Sequence, residues 1–280
     1  MIDLHTHSTA SDGALEPADL VELAARGGLE ALALTDHDTV AGCPAAAAAT
    51  RALRPGRETA PMRFVPGIEL EVAYPRFGTC HMVGLDIDIE CPELLELVAE
   101  AQEERLNRNM VLISRLQSSG IPIESRELPG GPARAGRLHF AQELIRRGIV
   151  SSVEEAFARF LGPAAATYAA RTAPSVARCL RSIQAAGGVP VVAHPSTLHL
   201  SWSRLEEQLR DWRHMGLEGI EVYFPGAFRR TTMKLIALAD RLDLACSGGS
   251  DFHDARRSPG YVFGREIPSS LLSVLDRKAR

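Results

Sequence analysis

Seven short apolar runs recur along the chain: IDLH (2–5), ALALT (31–35), RFVPGIELEV (63–72), CHMVGLDI (80–87), VPVVAH (189–194), GIEVYF (219–224) and LACSGG (244–249). Their length and β-branched content predict strands. Between several of them apolar positions recur with helical spacing over 17–26, 42–53, 174–186, 203–215 and 228–242, the first opened by Pro17 in its first turn. Strands alternating with helices predict an α/β fold with a mostly parallel sheet or barrel. Between residues 92 and 165 the strand signals vanish. A long helical stretch (92–118), a Gly/Pro segment PGGPARAG (129–136) and two further helices (137–147 and 152–161) predict a helical insertion able to cap one face. The expected division is a first barrel part over 1–91, the insertion over 92–165 and a second barrel part over 166–280. RALRPGRETAPMR (51–63) reads as a surface loop, and no repeat of fixed period is found.

At 280 residues, 45% hydrophobic and 24% charged, the chain has the composition of an ordinary globular protein with a large core. A formal charge of −4 speaks against a general electrostatic grip on nucleic acid, while leaving room for a locally basic pocket. The five cysteines are odd in number and lack C-x-x-C spacing, so neither a disulfide framework nor a thiolate zinc site is indicated. With no basic-then-apolar leader and no membrane-length apolar run, the expected location is the cytoplasm.

The chemistry gathers at strand ends. In DLHTHSTASDG, side chains two apart on an extended strand share a face, so His5 and His7 converge while Leu4 and Thr6 turn away. Asp12 follows in the same stretch, His37 lies in TDHD after the second strand, and Glu69 lies in GIELE. His81 lies in TCHMVG, His194 ends VVAHP, and Asp251 and His253 sit in GSDFH. Glu71 shares the face of Glu69, and spacing does not choose between them. His139, His199 and His214 lie outside this pattern. A mixed set of imidazoles and carboxylates suits several divalent cations, with carboxylates bridging neighbours. Three such ions bring six positive charges and Asp12, Glu69 and Asp251 remove three. The remainder is balanced by a hydroxide and a phosphomonoester dianion, which favours a hydrolase of phosphate esters over one of neutral amides.

HTHSTASDG, LTDHDT, GIELE, CHMVG, AHP and GSDFH, in this order, resemble the PHP (polymerase and histidinol phosphatase) family, nearest to its bacterial 3′,5′-nucleoside bisphosphate phosphatases and RNA 5′-to-3′ exonucleases. The resemblance implies a distorted (β/α)7 PHP barrel with a helical insertion domain. It also implies three divalent metal ions, manganese foremost, with iron or zinc also suited. One would sit on His5, His7, Glu69 and Asp251, a second on Glu69, His81 and His194, and a third on Asp12, His37 and His253. The implied reaction removes the 3′-phosphate of a small nucleotide such as adenosine 3′,5′-bisphosphate by attack of a metal-bound hydroxide. Alternatives are exonucleolytic trimming of short RNA, a nucleoside monophosphate phosphatase of a specialised pathway, and a non-catalytic metal-binding domain. No general acid is named beyond Asp38 or a metal-bound water. No membrane or protein partner is implied.

In the insertion, QEERLNR (102–108) and GRLHF (136–140) carry Gln102, Arg105, Arg137 and His139, expected by family position to contact substrate phosphate. Arg108, one turn beyond Arg105, reads as part of a charged helix face. Two departures bear on the pocket. AAATY (164–168) places Ala165 where the family's GKPxY has lysine, and Ser196 and Thr197 follow AHP where glycine and a basic residue are common.

Overall fold

Seven strands lie in one sheet whose spatial order follows the chain: β1 (Ile2–Asp3), β2 (Ala31–Leu34), β3 (Arg63–Val72), β4 (Cys80–Leu85), β5 (Val189–Val192), β6 (Gly219–Tyr223) and β7 (Ala245–Gly248). The structure, a computed structural model, describes residues 1–53, 62–74, 78–254 and 267–279. Most of the loop expected over 51–63 therefore lies outside the described residues. The sheet curls until Leu4 N donates to Gly248 O at 3.1 Å and Thr6 bridges Phe252, which brings β1 beside β7 and nearly closes a distorted α/β barrel.

Alternation along each strand separates the inside of the barrel from its outside. Ala31 and Ala33 pack with Ile2, Leu4, Val65, Val83, Leu85, Val189 and Val191, whereas Leu32 and Leu34 pack against Leu20, Val21, Ala24 and Ala46 of α1 (Pro17–Arg26) and α2 (Cys43–Ala52). Val274 and Leu275, from 3-10 turns over Ser269–Ala279, join the inner cluster, an element the hydrophobic pattern did not announce.

One strand breaks the parallel expectation. β4 is antiparallel to both β3 and β5, while the other pairs are parallel. Only residues 73–79 join β3 to β4, too short for the crossover a parallel neighbour requires, so the chain turns back as a hairpin. The reversal puts the start of β4, and His81 with it, at the face where the other strands end.

The insertion begins with α3 (Pro92–Ser118), a helix shared by two cores. Leu94, Leu97 and Val98 pack into the barrel's helix-covered side; Leu112, Ile113 and Leu116 pack with Phe140 and Leu144 of α4 (Arg137–Arg146), and with Val150 and Leu161. The helix expected over 152–161 is present, as α5 (Val153–Ala156) running without a break into a wider turn over Phe157–Leu161, after which Gly162 N reaches back to Phe157 O at 2.8 Å. Helices α6 (Val176–Ala185), α7 (Trp202–His214) and α8 (Arg229–Arg241) complete the outer layer.

Candidate active site

The loop after β1 is held by buried polar anchors. Thr6 Oγ1 donates to Ala33 O at 2.6 Å, so the two flanking histidines turn the other way, into the barrel mouth. Asp36 accepts from Ser8 N, Ser8 Oγ and Ser11 Oγ at 2.6–2.7 Å and so fixes the turn that carries Asp12. Burial pushes the Asp36 carboxyl up to about 6. Asp3 performs the same service on the far side, where its Oδ1 accepts from Ser250 N at 2.9 Å beside Asp251. Asp38, His194 and Asp251 all have φ between 26° and 50°, a sparsely populated backbone region that persists where surrounding structure enforces it.

Glu69 stands at the centre, fully buried. Its Oε1 lies 2.8 Å from His81 Nδ1 and 3.0 Å from His194 Nε2; its Oε2 lies 2.8 Å from His37 Nδ1 and 3.3 and 3.4 Å from His5 Nε2 and His7 Nε2. Asp251 Oδ1 stands 3.1 Å from His7 Nε2, and Asp12 Oδ1 stands 3.2 Å from His253 Nε2. All nine residues singled out from the motifs thus meet at one place. Their ligand atoms group as His5, His7, Glu69 and Asp251; as His37, Glu69 and His81, with His194 on the same carboxylate; and as His7, Asp12, His37 and His253. Two of these groupings are wider than the motifs implied, since His7 and His37 each reach two groups.

Several atoms in the cluster face one another without a hydrogen bond: His5 Nε2, both ring nitrogens of His7, Asp12 Oδ1 and Glu69 Oε2. Buried polar atoms left so are costly, and the donor set, imidazole nitrogens with carboxylate oxygens, is the one divalent cations take. The residues present therefore fit metal ions. The electrostatics point the same way. Burial lowers His7 to about 3, helped by His253 and His37, so the ring is neutral near neutral pH and one of its nitrogens has a lone pair to offer. For His37 burial also opposes charge, but Glu69 and Asp12 outweigh it and raise the group to about 10, a proton a bound cation would displace.

The motif reading missed Glu221. It is buried on β6, and its Oε1 lies 2.7 Å from His5 Nδ1 while Oε2 accepts from His194 N at 2.6 Å. An acceptor there places the His5 proton on Nδ1 and leaves Nε2 to face the cluster. Its signal in the sequence is a lone carboxylate inside the apolar run GIEVYF.

Beside the cluster lies a second polar region. Asp38 accepts from Arg105 Nη2 and, at 2.8 Å, from Arg171 Nη1; Glu71 stands 3.0 Å from Arg171 Nη1 and 3.4 Å from Arg137 Nη2. Burial opposes ionisation of Asp38, yet Arg105 and Arg171 hold its carboxyl well below the usual range. Burial likewise disfavours charge on Glu71, and Arg171 and Arg137 bring it down to about 2. Gln102 Nε2 donates to Asp38 O at 3.0 Å, and the buried His139 accepts at Nδ1 from Gly136 N at 3.2 Å. A side chain on Gly136 would come within 3.1 Å of Asp12 Oδ2, so a larger residue there would press on the Asp12 carboxylate.

Arg108 departs from the charged-surface expectation. It is 5% exposed, its Nε has no partner, and burial with Arg137 and Arg105 beside it pulls the guanidinium down to about 9. It stays protonated at neutral pH, and among the described residues no carboxylate pairs with it. Ala165 lies in a half-buried turn closed by Tyr168 N to Ala165 O at 3.0 Å.

Two cavities open here and share Thr79. One of about 270 Å³ is lined by His37, Glu69, His81, His194, Asp251 and His253; its neighbour of about 370 Å³ is lined by Glu71, Tyr74, Arg137, Tyr168 and Arg171. Among the described residues no helix is long and apolar enough to cross a membrane.

Comparison with known proteins agrees with this geometry. The PHP domain model matches residues 3–142. The chain is 36% identical over 270 residues to the 3′,5′-nucleoside bisphosphate phosphatase of Chromobacterium violaceum, covering 95% of this chain and 90% of that one. It is 32% identical over 254 residues to a 5′-3′ exoribonuclease of Haemophilus influenzae, covering 90% and 89%. A Bifidobacterium adolescentis structure described as a metal-dependent phosphoesterase superposes with a TM-score of 0.85 at 28% identity, over 99% of this chain and 96% of that one. With its barrel, its cation-seeking cluster and these relatives together, the chain belongs to the PHP domain family of metal-dependent phosphoesterases.

Proposed function

We propose that the chain removes the 3′-phosphate of a small nucleotide such as adenosine 3′,5′-bisphosphate, using three divalent ions, manganese foremost, held by His5, His7, Asp12, His37, Glu69, His81, His194, Asp251 and His253. The observation that carries this reading is the placement of Glu69 and Glu71. Two residues apart on β3, the first faces the imidazole cluster and the second faces the arginines. A molecule that spans both needs two anionic groups with a spacer between them, which describes a nucleoside bisphosphate.

Divalent ions in this setting supply Lewis acidity and a water activated as nucleophile near neutral pH. The side chains do the rest. Glu221 orients His5, and Asp36 and Asp3 hold the loops that carry Asp12 and Asp251. Arg105, Arg108 and Arg137 hold the phosphate that is not cleaved, with Arg108 supplying the unpaired charge that Ala165 does not. Asp38 positions Arg105 and Arg171; ionised as it is, it has no proton to give a leaving group, so protonation of the leaving oxygen falls to solvent. Tyr74 and Tyr168 flank the larger cavity, where the nucleoside fits. Residues 92–165 form the cap that brings the arginines to the barrel mouth. All five cysteines are free, which supports a reducing, cytoplasmic setting.

Trimming of short RNA from its 5′ end is the second reading, supported by the exoribonuclease relative and by the exposed Pro225 in the lining of the metal cavity. The test is phosphate release and product analysis over adenosine 3′,5′-bisphosphate, the 3′- and 5′-monophosphates and a 5′-phosphorylated oligoribonucleotide. We expect the bisphosphate to give the highest kcat/KM with 5′-monophosphate as product. Preference for a monophosphate would overturn the substrate assignment.

A further inference from the structure

The chain leaving β6 starts inside the active site, because Pro225 lines the metal cavity, and three residues later Phe228 is 80% exposed. Scattered exposed apolar side chains need no explanation. Here they gather: Met233 is 60% exposed and Trp202 41%, with Arg229, Arg230 and Lys234, all exposed, interleaved among them. Lys234 Nζ lies 4.8 Å from the centre of the Trp202 ring, so the start of α7 meets α8 beside the chain that leaves the mouth at Pro225.

We propose that this rim binds single-stranded oligonucleotide, carrying the nucleotides that follow the one held at the metals. The inference rests on the phosphoesterase reading of the site and extends it to longer substrates. Its first support is charge. Among the described residues no carboxylate lies within ion-pair distance of Arg229, Arg230 or Lys234, whereas the neighbouring arginines are spoken for: Arg204 by Glu207, Arg210 and Arg241 by Glu206, Arg213 by Asp243. A patch of cations without a carboxylate partner among the described residues, on a chain of net charge −4, is a local feature with a use. Its second support is composition, since exposed aromatic rings beside guanidinium and ammonium groups stack bases and neutralise phosphates with little regard to sequence. Its third is position. Pro225, three residues before Phe228, lines the metal cavity, whereas Arg137 and Arg171 line the neighbouring one, so nucleotides that follow the one at the metals have this surface within reach. A mononucleotide confined to the two cavities does not reach it.

The test uses the metal-loaded full chain and a variant carrying Phe228→Ala, Arg229→Ala and Arg230→Ala, all exposed positions outside the catalytic machinery. Binding of a labelled phosphorothioate oligoribonucleotide is followed by anisotropy across salt concentrations, beside kcat/KM for adenosine 3′,5′-bisphosphate and for a short 5′-phosphorylated oligoribonucleotide. We expect oligonucleotide affinity and turnover to fall about tenfold or more, the salt slope to flatten by about 1.4 for two lost phosphate contacts, and bisphosphate turnover to stay unchanged. Unchanged oligonucleotide binding, an equal loss on the bisphosphate, or equal wild-type affinity for duplex DNA, whose bases cannot stack on the rim, would each overturn the proposal. A wild type that hydrolyses the bisphosphate but neither binds nor cleaves the oligonucleotide also overturns it and leaves the phosphatase reading standing. Oligonucleotide binding lost in the variant, in a protein that hydrolyses no phosphate ester, would uphold the rim and refute the phosphoesterase reading.

Discussion

At the barrel mouth, imidazole and carboxylate atoms face one another with lone pairs to spare; a short way along β3, four guanidinium groups stand about two carboxylates and one of the four has no carboxylate partner among the described residues. The two regions are alike in burial and opposite in need. On the proposed reading the first is completed by cations and the second by an anion, and Glu69 and Glu71 join the two regions through a single strand. A ligand that satisfies both is anionic at two points and binds metal at one of them. The difference teaches that the same device, polar groups buried without full compensation, marks a binding site of either sign.

The comparison breaks most severely at the metal cluster. His37→Ala or Asp251→Ala should reduce turnover by well over the roughly 100-fold that loss of a mere supporting partner costs, while circular dichroism shows the barrel folded. Full activity in either variant would make the cluster structural only. Removal of the ions by a chelator should likewise abolish turnover, and manganese should restore it. Because bound ions stabilise the folded state by mass action, the melting temperature of the holoprotein should rise with metal concentration.

At the second region, Arg108→Ala removes a charge-assisted contact worth about 1.5–3 kcal/mol, or about tenfold to a hundredfold in kcat/KM for a bisphosphate. An aryl phosphate, which has nothing to place among the arginines, should be hydrolysed as before. Equal losses on both substrates would place Arg108 in folding instead.

Much of this arrangement is legible in the sequence because metal ligation demands particular residue types at strand ends. H-x-H, T-D-H-D and S-D-F-H each put side chains on one face of the barrel whatever the helices outside do. The choice between Glu69 and Glu71 was not legible, since alternation gives both the same face, and only depth along β3 separates them. Arg108 reads as an ordinary helix-surface charge until the insertion folds over it and takes its water away. The reversal of β4 could have been read from the seven residues that precede it, too few for a crossover. Glu221 was passed over because it sits in an apolar run without a second polar residue to complete a motif.

Smaller effects sharpen the contrast. Glu221→Gln keeps the shape of the side chain but weakens its hold on His5, and should lower metal affinity by about tenfold to a hundredfold with little change in arginine-dependent substrate preference. Ala165→Lys adds a cation between Pro163 and Tyr168, which line the larger cavity, where Arg108 already supplies charge on the proposed reading, so the gain in bisphosphate kcat/KM should be about tenfold at most. A switch of preference from monophosphate to bisphosphate in that variant would show that Arg108 does not fill the role assigned to it.

The most direct test of two complementary sites is an anomalous-scattering map from crystals grown with manganese and a non-hydrolysable analogue of adenosine 3′,5′-bisphosphate. The expected result is three ions, one in each ligand group around Glu69, with one phosphate against them and the other within hydrogen-bond reach of Arg108. A single ion, or a second phosphate lying outside the arginine cluster, would contradict the account.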